Sequence, residues 1–244
     1  MLRINADDFG RNRETTDRIW TCFNEKRITS TSAMMFMKDS ERAASKARAE
    51  GIMMGLHLNF TEEFSGTDVA EGLITRQRKI RRFLKVNKYS MIIYNPFLRR
   101  DFEYVFNAQL EEFYRLSGGP PTHIDGHEHM HLCMNILLEG LIPRGVQIRR
   151  NHTFESGERG VLNRAYRMIV DKWLLKNYIL TDFFFDLSQN MDMRCLQRIF
   201  NLAQSSDVEL MVHPGRINEF EYLESDEYWQ LISCLDMKSS SNPK

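Results

Sequence analysis

Short apolar runs alternate with longer amphipathic ones along this chain, and that order constrains its fold more than any other feature. Strand-like runs cover 2–6, 32–36, 52–60, 122–125, 146–149, 181–187 and 208–213. Helical spacing covers 15–26, 40–50, 102–116, 132–141, 161–176, 193–204 and 219–235, with Ile19, Trp20 and Phe23 sharing one face of the first. Seven such alternations predict a parallel sheet covered by helices, either a barrel or an open doubly wound sheet. The 244 residues hold no internal repeat and no Gly/Pro linker, which predicts a single domain over 1–238 and a polar tail at 239–244.

Ionisable residues gather where the strand-like runs end. The first run ends in Asp7-Asp8, the third carries His57, and the fourth passes into Asp125-Gly126-His127. The fifth closes on Arg149-Arg150 and the last on His213. In parallel α/β folds the C-terminal ends of the strands form the rim where ligands bind and chemistry sits. Chance would scatter these side chains along strands and helices, so their clustering predicts a functional site.

Residues 122–131, THIDGHEHMH, place four of the seven histidines beside two carboxylates. His127, Glu128 and His131 match the H-E-x-x-H spacing of zinc peptidases, which needs both histidines on one continuous helix. Pro120-Pro121 bars a helix before them, and 122–125 reads as a strand running into Gly126. A strand-to-loop position is therefore predicted, and the peptidase spacing leaves Asp7, Asp8, His57 and His213 without a role. A mononuclear centre of Asp8, His57 and His127 uses them better. One carboxylate and two imidazoles form a mixed N/O set that leaves positions for water and substrate. Such a centre brings the pKa of a bound water from about 15.7 towards about 7 and polarises a carbonyl. An N/O set admits zinc, magnesium, manganese, cobalt or nickel with little contrast; one divalent metal ion is expected, with magnesium and zinc foremost.

Formal net charge is zero and the pI about 7.1, so no global field draws the chain to nucleic acid. Cys22, Cys133, Cys195 and Cys234 are scattered with no C-x-x-C, which predicts reduced thiols and no zinc ribbon. An apolar run begins at residue 2 and carboxylates follow, leaving no room for a signal peptide, and no apolar run is long enough to span a bilayer. The expected location is cytoplasmic. One compositional break stands out: residues 72–100 carry nine Lys/Arg and no Asp or Glu. This basic insertion, or lid, would meet either solvent or an anionic substrate at the rim, including a sugar on a lipid phosphate at the inner membrane surface.

The blocks NADDFG, TSTSAMM, GLHLNFT, PTHIDGHEHMH and LMVHPG resemble, in order and over residues 4–215, the motifs of the YdjC-like carbohydrate deacetylases, the group that contains chitooligosaccharide deacetylases. The resemblance implies a distorted (β/α) barrel of about seven parallel strands, a divalent metal, and hydrolysis of an N-acetyl group from a sugar or oligosaccharide. It puts the metal on Asp8, His57 and His127; similarity to related polysaccharide deacetylases makes Asp7 the base and His213 the acid. The chain departs from the family at Arg11-Asn12-Arg13-Glu14 and in the segment NFTEEFSG, which leaves the glycan open.

Arg149, at a strand end, is expected to hold the base carboxylate ionised. At least one of His123 and Asp125 is expected to orient an imidazole ligand through its free nitrogen. Of His129 and His131, one is expected to line the substrate cleft and the other to be structural; His152 reads as a surface residue. Two rivals stay open: a metal-dependent hydrolase of another bond, such as a peptidase or phosphoesterase, and a catalytically silent sugar-binding barrel. The expected partner is an N-acetylated glycan, with no nucleic acid and no transmembrane segment, and a homodimer is compatible with the sequence.

Overall fold

The structure, a computed structural model, describes residues 1–87, 89–153 and 160–233. Six parallel strands form one sheet: β1 (Leu2–Phe9), β2 (Ser30–Ala33), β3 (Met54–Leu58), β4 (Ile124–Gly126), β5 (Phe183–Asp186) and β6 (Val208–Val212), in the order β4-β3-β2-β1-β6-β5. Helices α1 (Arg13–Asn24), α2 (Ser40–Glu50), α3 (Glu71–Leu84) and α4 (Arg99–Ser117) lie between β1 and β4 in the chain. Helices α5 (Met134–Glu139), α6 (Val161–Leu174), α7 (Met193–Ala203), α8 (Ile217–Glu224) and α9 (Asp226–Ser233) complete the fold.

One face of the sheet is apolar, while the other carries the buried polar side chains of Asn5, Asp7, Ser30, Ser32, His57, Asp125 and Glu209. Ile4, Ala6, Phe9, Leu56, Leu58 and Leu210 are all fully buried, and each large side chain contributes about 1.5–3 kcal/mol through burial. Helix α1 starts at Asn12, whose side-chain oxygen accepts from the Thr15 amide, so neither Asp7 nor Asp8 is spent on capping. Helix α4 stops where Gly118 turns left-handed at φ 76°.

Among the described residues six strands form rather than about seven, and a full barrel is not reproduced. The run 146–149 makes only isolated bridges, Ile148 to Ile124 and Gln147 to Ile179. Its amides and carbonyls are shared between neighbours on two sides, so no continuous ladder forms with either. The helix expected over 219–235 breaks at Ser225, which is extended (ψ 150°) between α8 and α9. Residues 234–235, Cys234 and the tail at 239–244 lie outside the described residues, and the three cysteines that are described are free thiols. No described helix is long and apolar enough to cross a membrane.

The basic insertion is folded. Helix α3 buries Leu73, Gln77, Ile80 and Leu84 and packs on α4, and short 3₁₀ turns follow at Ser90–Ile92 and Pro96–Leu98. Much of its charge is matched from outside: Arg76 and Lys79 pair with Asp101, Arg81 with Glu63, Lys85 with Glu128, and Arg99 with Glu139. Arg78 and Arg82 are exposed and have no carboxylate partner among the described residues. Beyond α3, Val86, Tyr89, Ile92, Ile93 and Phe97 remain exposed.

Candidate metal centre

A bulge in β1 aims the carboxylates. Ala6 pairs with Thr31 and Phe9 with Ala33, so Asp7 and Asp8 together face one residue of β2. Asp8 takes a left-handed φ of 69°, a strained conformation of the kind that collects at functional sites. Its Oδ1 lies 3.3 Å from His57 Nε2 and 3.0 Å from His127 Nδ1. The donor atoms of Asp8, His57 and His127 all lie within 4.8 Å of one another, which fits a three-ligand N/O centre. Burial opposes the charge on Asp8, but hydrogen bonds with His127 and His57 outweigh it and hold the carboxyl well below its ordinary range.

Behind the ligands lies a buried charge network. His57 Nδ1 is 2.8 Å from Asp125 Oδ1, so Asp125 is the group that orients this ring. Burial disfavours the imidazolium of His57, yet the charges of Asp125 and Asp7 raise its pKa to about 10. A cation binding at Nε2 therefore displaces a proton. Arg149, with its side chain wholly buried, grips both oxygens of Asp7 at 2.6 and 2.7 Å, Asp125 at 2.7 Å and Glu209 at 2.7 Å. His123 is buried but bonds to Thr122 Oγ1 instead, and burial pushes its pKa down to about 3.

The 127–131 segment is not an α-helix. His127–Leu132 forms 3₁₀ turns interrupted at Glu128 and His129, whose φ values are 53° and 58°. His127 and His131 consequently part. His131 is fully buried and bonds through Nε2 to the Arg149 carbonyl at 3.0 Å, so it braces the network from behind; burial lowers its pKa to about 4. His129 lines the cleft, and its Nε2 lies 2.8 Å from His152 Nε2. His152 is therefore half-buried beside the site, stacked on Phe184, rather than a surface residue. We expect His129→Ala and His131→Ala both to retain metal, with His131→Ala the less stable of the two; equal metal loss in His127→Ala and His131→Ala by elemental analysis would restore the peptidase spacing.

The cleft has a volume of about 310 Å³ and is lined by Asp7, Asp8, His57, His127, Asp186, His213 and Arg216. His213 follows β6, its amide bonded to Glu219 Oε2 at 2.7 Å and its Nδ1 3.5 Å from Glu219 Oε1. Burial works against its charge, but Glu219 and the Asp7 charge raise its pKa. Arg150 turns away from the cleft and pairs with Asp171 at 2.8 Å. The structure thus brings Asp7, Asp8, His57, His127, Asp125, Arg149, His129 and His213 together and sets His131 behind them. Periodicity and motif spacing did not single out Glu62, Asp186, His152 or Glu219; each lies next to the site in space, without a motif of its own.

Similarity to known proteins runs along the whole described chain. A carbohydrate deacetylase of Clostridium beijerinckii is 26% identical over 252 residues, covering 95% of this chain and 94% of its own. A chitooligosaccharide deacetylase of an Enterobacter species is 24% identical, covering 100% and 92%. The mouse carbohydrate deacetylase is 31% identical over 177 residues, 68% of this chain, and the match spans only 53% of the mouse protein's length. A crystal structure from Enterococcus faecalis, named for cellobiose-phosphate cleavage, superposes with a TM-score of 0.63 at 20% identity, covering 95% of this chain and 93% of that one, which shows a shared fold. The profile described as "YdjC-like protein" matches residues 1–233, and the chain belongs to that family.

Proposed function

We propose that the protein is a metal-dependent carbohydrate N-deacetylase that releases acetate from an N-acetylated sugar or oligosaccharide, with residues 1–238 acting as one unit. One observation carries the reading: three strand ends bring Asp8, His57 and His127 within 4.8 Å of one another beside a cleft walled by Asp7 and His213. Relatives named for this activity support it. A divalent cation, magnesium or zinc, held by Asp8, His57 and His127 would supply Lewis acidity for the acetamide carbonyl and for a water.

The chain's own residues then divide the proton work. Asp7, whose Oδ2 receives a hydrogen bond from Arg149 Nη1, lines the cleft and accepts the proton of the attacking water. His213, which lines the same cleft, donates a proton to the departing sugar nitrogen. Glu219 keeps His213 oriented and favours its protonated form. Atoms balance: water adds hydroxyl to the acyl carbon, the C–N bond breaks, and the amine leaves with the proton from His213.

Acetate release from a panel of N-acetylated glycans, together with elemental analysis of the purified protein, tests the reading directly. Metal-loaded protein that releases no acetate would sink it. Asp7→Asn and His213→Ala should keep the metal and lose about a hundred- to ten-thousandfold in turnover. Because the acid must be protonated and Glu219 raises the His213 pKa, activity should fall on the basic side, and Glu219→Gln should move that fall to lower pH. An unmoved basic limb would remove His213 as the acid.

The exposed Arg78 and Arg82, with the apolar side chains at 86–97, favour an anionic substrate: a phosphorylated or uronic-acid glycan, or a sugar on a lipid phosphate, where each nearby cation adds about 1 kcal/mol at an anionic surface. Neutralising both arginines should raise KM several-fold for anionic substrates only and weaken the salt dependence. Equal effects on neutral substrates would leave the segment as a solvated surface.

A further inference from the structure

The two imidazoles of the centre are backed alike, although only one of the backing carboxylates belongs to the strands. His57 presents Nε2 to Asp8 Oδ1 (3.3 Å) while its Nδ1 meets Asp125 Oδ1 at 2.8 Å. His127 presents Nδ1 to Asp8 Oδ1 (3.0 Å) while its Nε2 lies 3.3 Å from Glu62 Oε2. That Glu62 oxygen is buried and receives no hydrogen bond, an uncompensated acceptor aimed at a ring nitrogen. Glu62 itself stands outside the group of donor atoms that converge within 4.8 Å.

We infer that Glu62 is the positioning residue of His127: it accepts the Nε2–H proton and thereby fixes the tautomer that leaves Nδ1 free for the metal. The inference rests on the metal-centre reading above. The chain holds Glu62 rigidly for this task. Asn59 Oδ1 accepts from the Thr61 and Glu62 amides, and Asn59 Nδ2 returns a bond to the Glu62 carbonyl at 2.8 Å. Helix α3 pins the same loop from outside, with Gln77 on the Glu62 carbonyl and Arg81 Nε on the Thr61 carbonyl at 3.0 Å. The other carboxylate oxygen is held by Arg11 Nε at 2.8 Å, which leaves Oε2 pointing at the histidine. Arg11 sits just before α1, the 59–63 loop follows β3, and α3 is the folded part of the basic insertion. Their shared role is to carry the carboxylate behind His127.

Second-layer carboxylates of this kind typically change metal affinity ten- to a hundredfold when removed. The test measures zinc and magnesium dissociation constants of the full chain, without substrate, by competition with a chelating dye. Glu62→Ala should weaken binding ten- to a hundredfold, and Glu62→Gln should recover most of it, because the amide oxygen still accepts from Nε2–H. The thermal midpoint of the metal-free protein should stay unchanged in both, separating positioning from a structural defect. Affinity within twofold of wild type in Glu62→Ala overturns the inference. Loss as complete as in His127→Ala also overturns it, by making Glu62 a direct ligand. Wild-type protein that binds neither metal would instead overturn the metal centre itself, whereas bound metal without acetate release would leave the Glu62 assignment intact and sink only the proposed activity.

Discussion

Replacing Asp8, His57 or His127 by alanine should empty the centre of metal and reduce turnover by at least ~10³-fold, since Lewis-acid stabilisation is worth several kcal/mol and each 1.36 kcal/mol is tenfold in rate. The fold should survive. Asp8 lies at a bulge, and His127 lies in an irregular turn after β4. His57 is buried, but its partner Asp125 keeps the Arg149 guanidinium at 2.7 Å after truncation. Mass spectrometry of metal content, alongside a thermal scan, is the measurement. Full occupancy in any one variant removes that residue from the centre.

Arg149→Met should be the most destabilising change at the site. The guanidinium touches Asp7, Asp125 and Glu209 inside the protein, and His57, which meets Asp125 and Asp7, brings at most one charge against the three carboxylates. Breaking a buried ion pair from one side costs about 3–5 kcal/mol, which for a chain of this size lowers the thermal midpoint by roughly 10 °C. Arg149→Lys keeps the charge but cannot grip Asp7 with two parallel bonds, so it should recover only part of the loss. A midpoint for Arg149→Met equal to wild type would mean that the carboxylates are relieved some other way. Burial already favours the neutral form of Glu209, the group that would protonate first.

The strand ends were legible because chemistry at a sheet rim leaves a one-dimensional trace: an apolar run that stops at a charged residue. Asp7, Asp8, His57, His127 and His213 all carry that trace, and Arg149 carries it even though its run forms no ladder. The bulge in β1 left none, because Asp7-Asp8 looks the same in a regular strand. Glu62 and Glu219 were illegible for a related reason. Each meets its histidine across a turn whose path depends on side-chain bonds, Asn59 in one case and Ser188 with Arg216 in the other. His129 and His131 sit two residues apart and do different work because left-handed backbone at Glu128 and His129 turns the chain between them. No period in the sequence encodes that turn. The basic insertion was read by charge count alone, and the count hid its pairing with Asp101, Glu63, Glu128 and Glu139.

The strand order has a consequence for synthesis. β1 lies between β2, made immediately after it, and β6, the last strand made among the described residues. Until 208–212 emerge from the ribosome, β1 keeps one unpaired edge, the kind of surface that other chains can add to. By then β1, β3 and the turn after β4 are already available, so Asp8, His57 and His127 all precede His213. A nascent chain can thus gather the three proposed ligands before it owns the proposed proton donor, and the final strand both seals the sheet and brings His213 to the cleft.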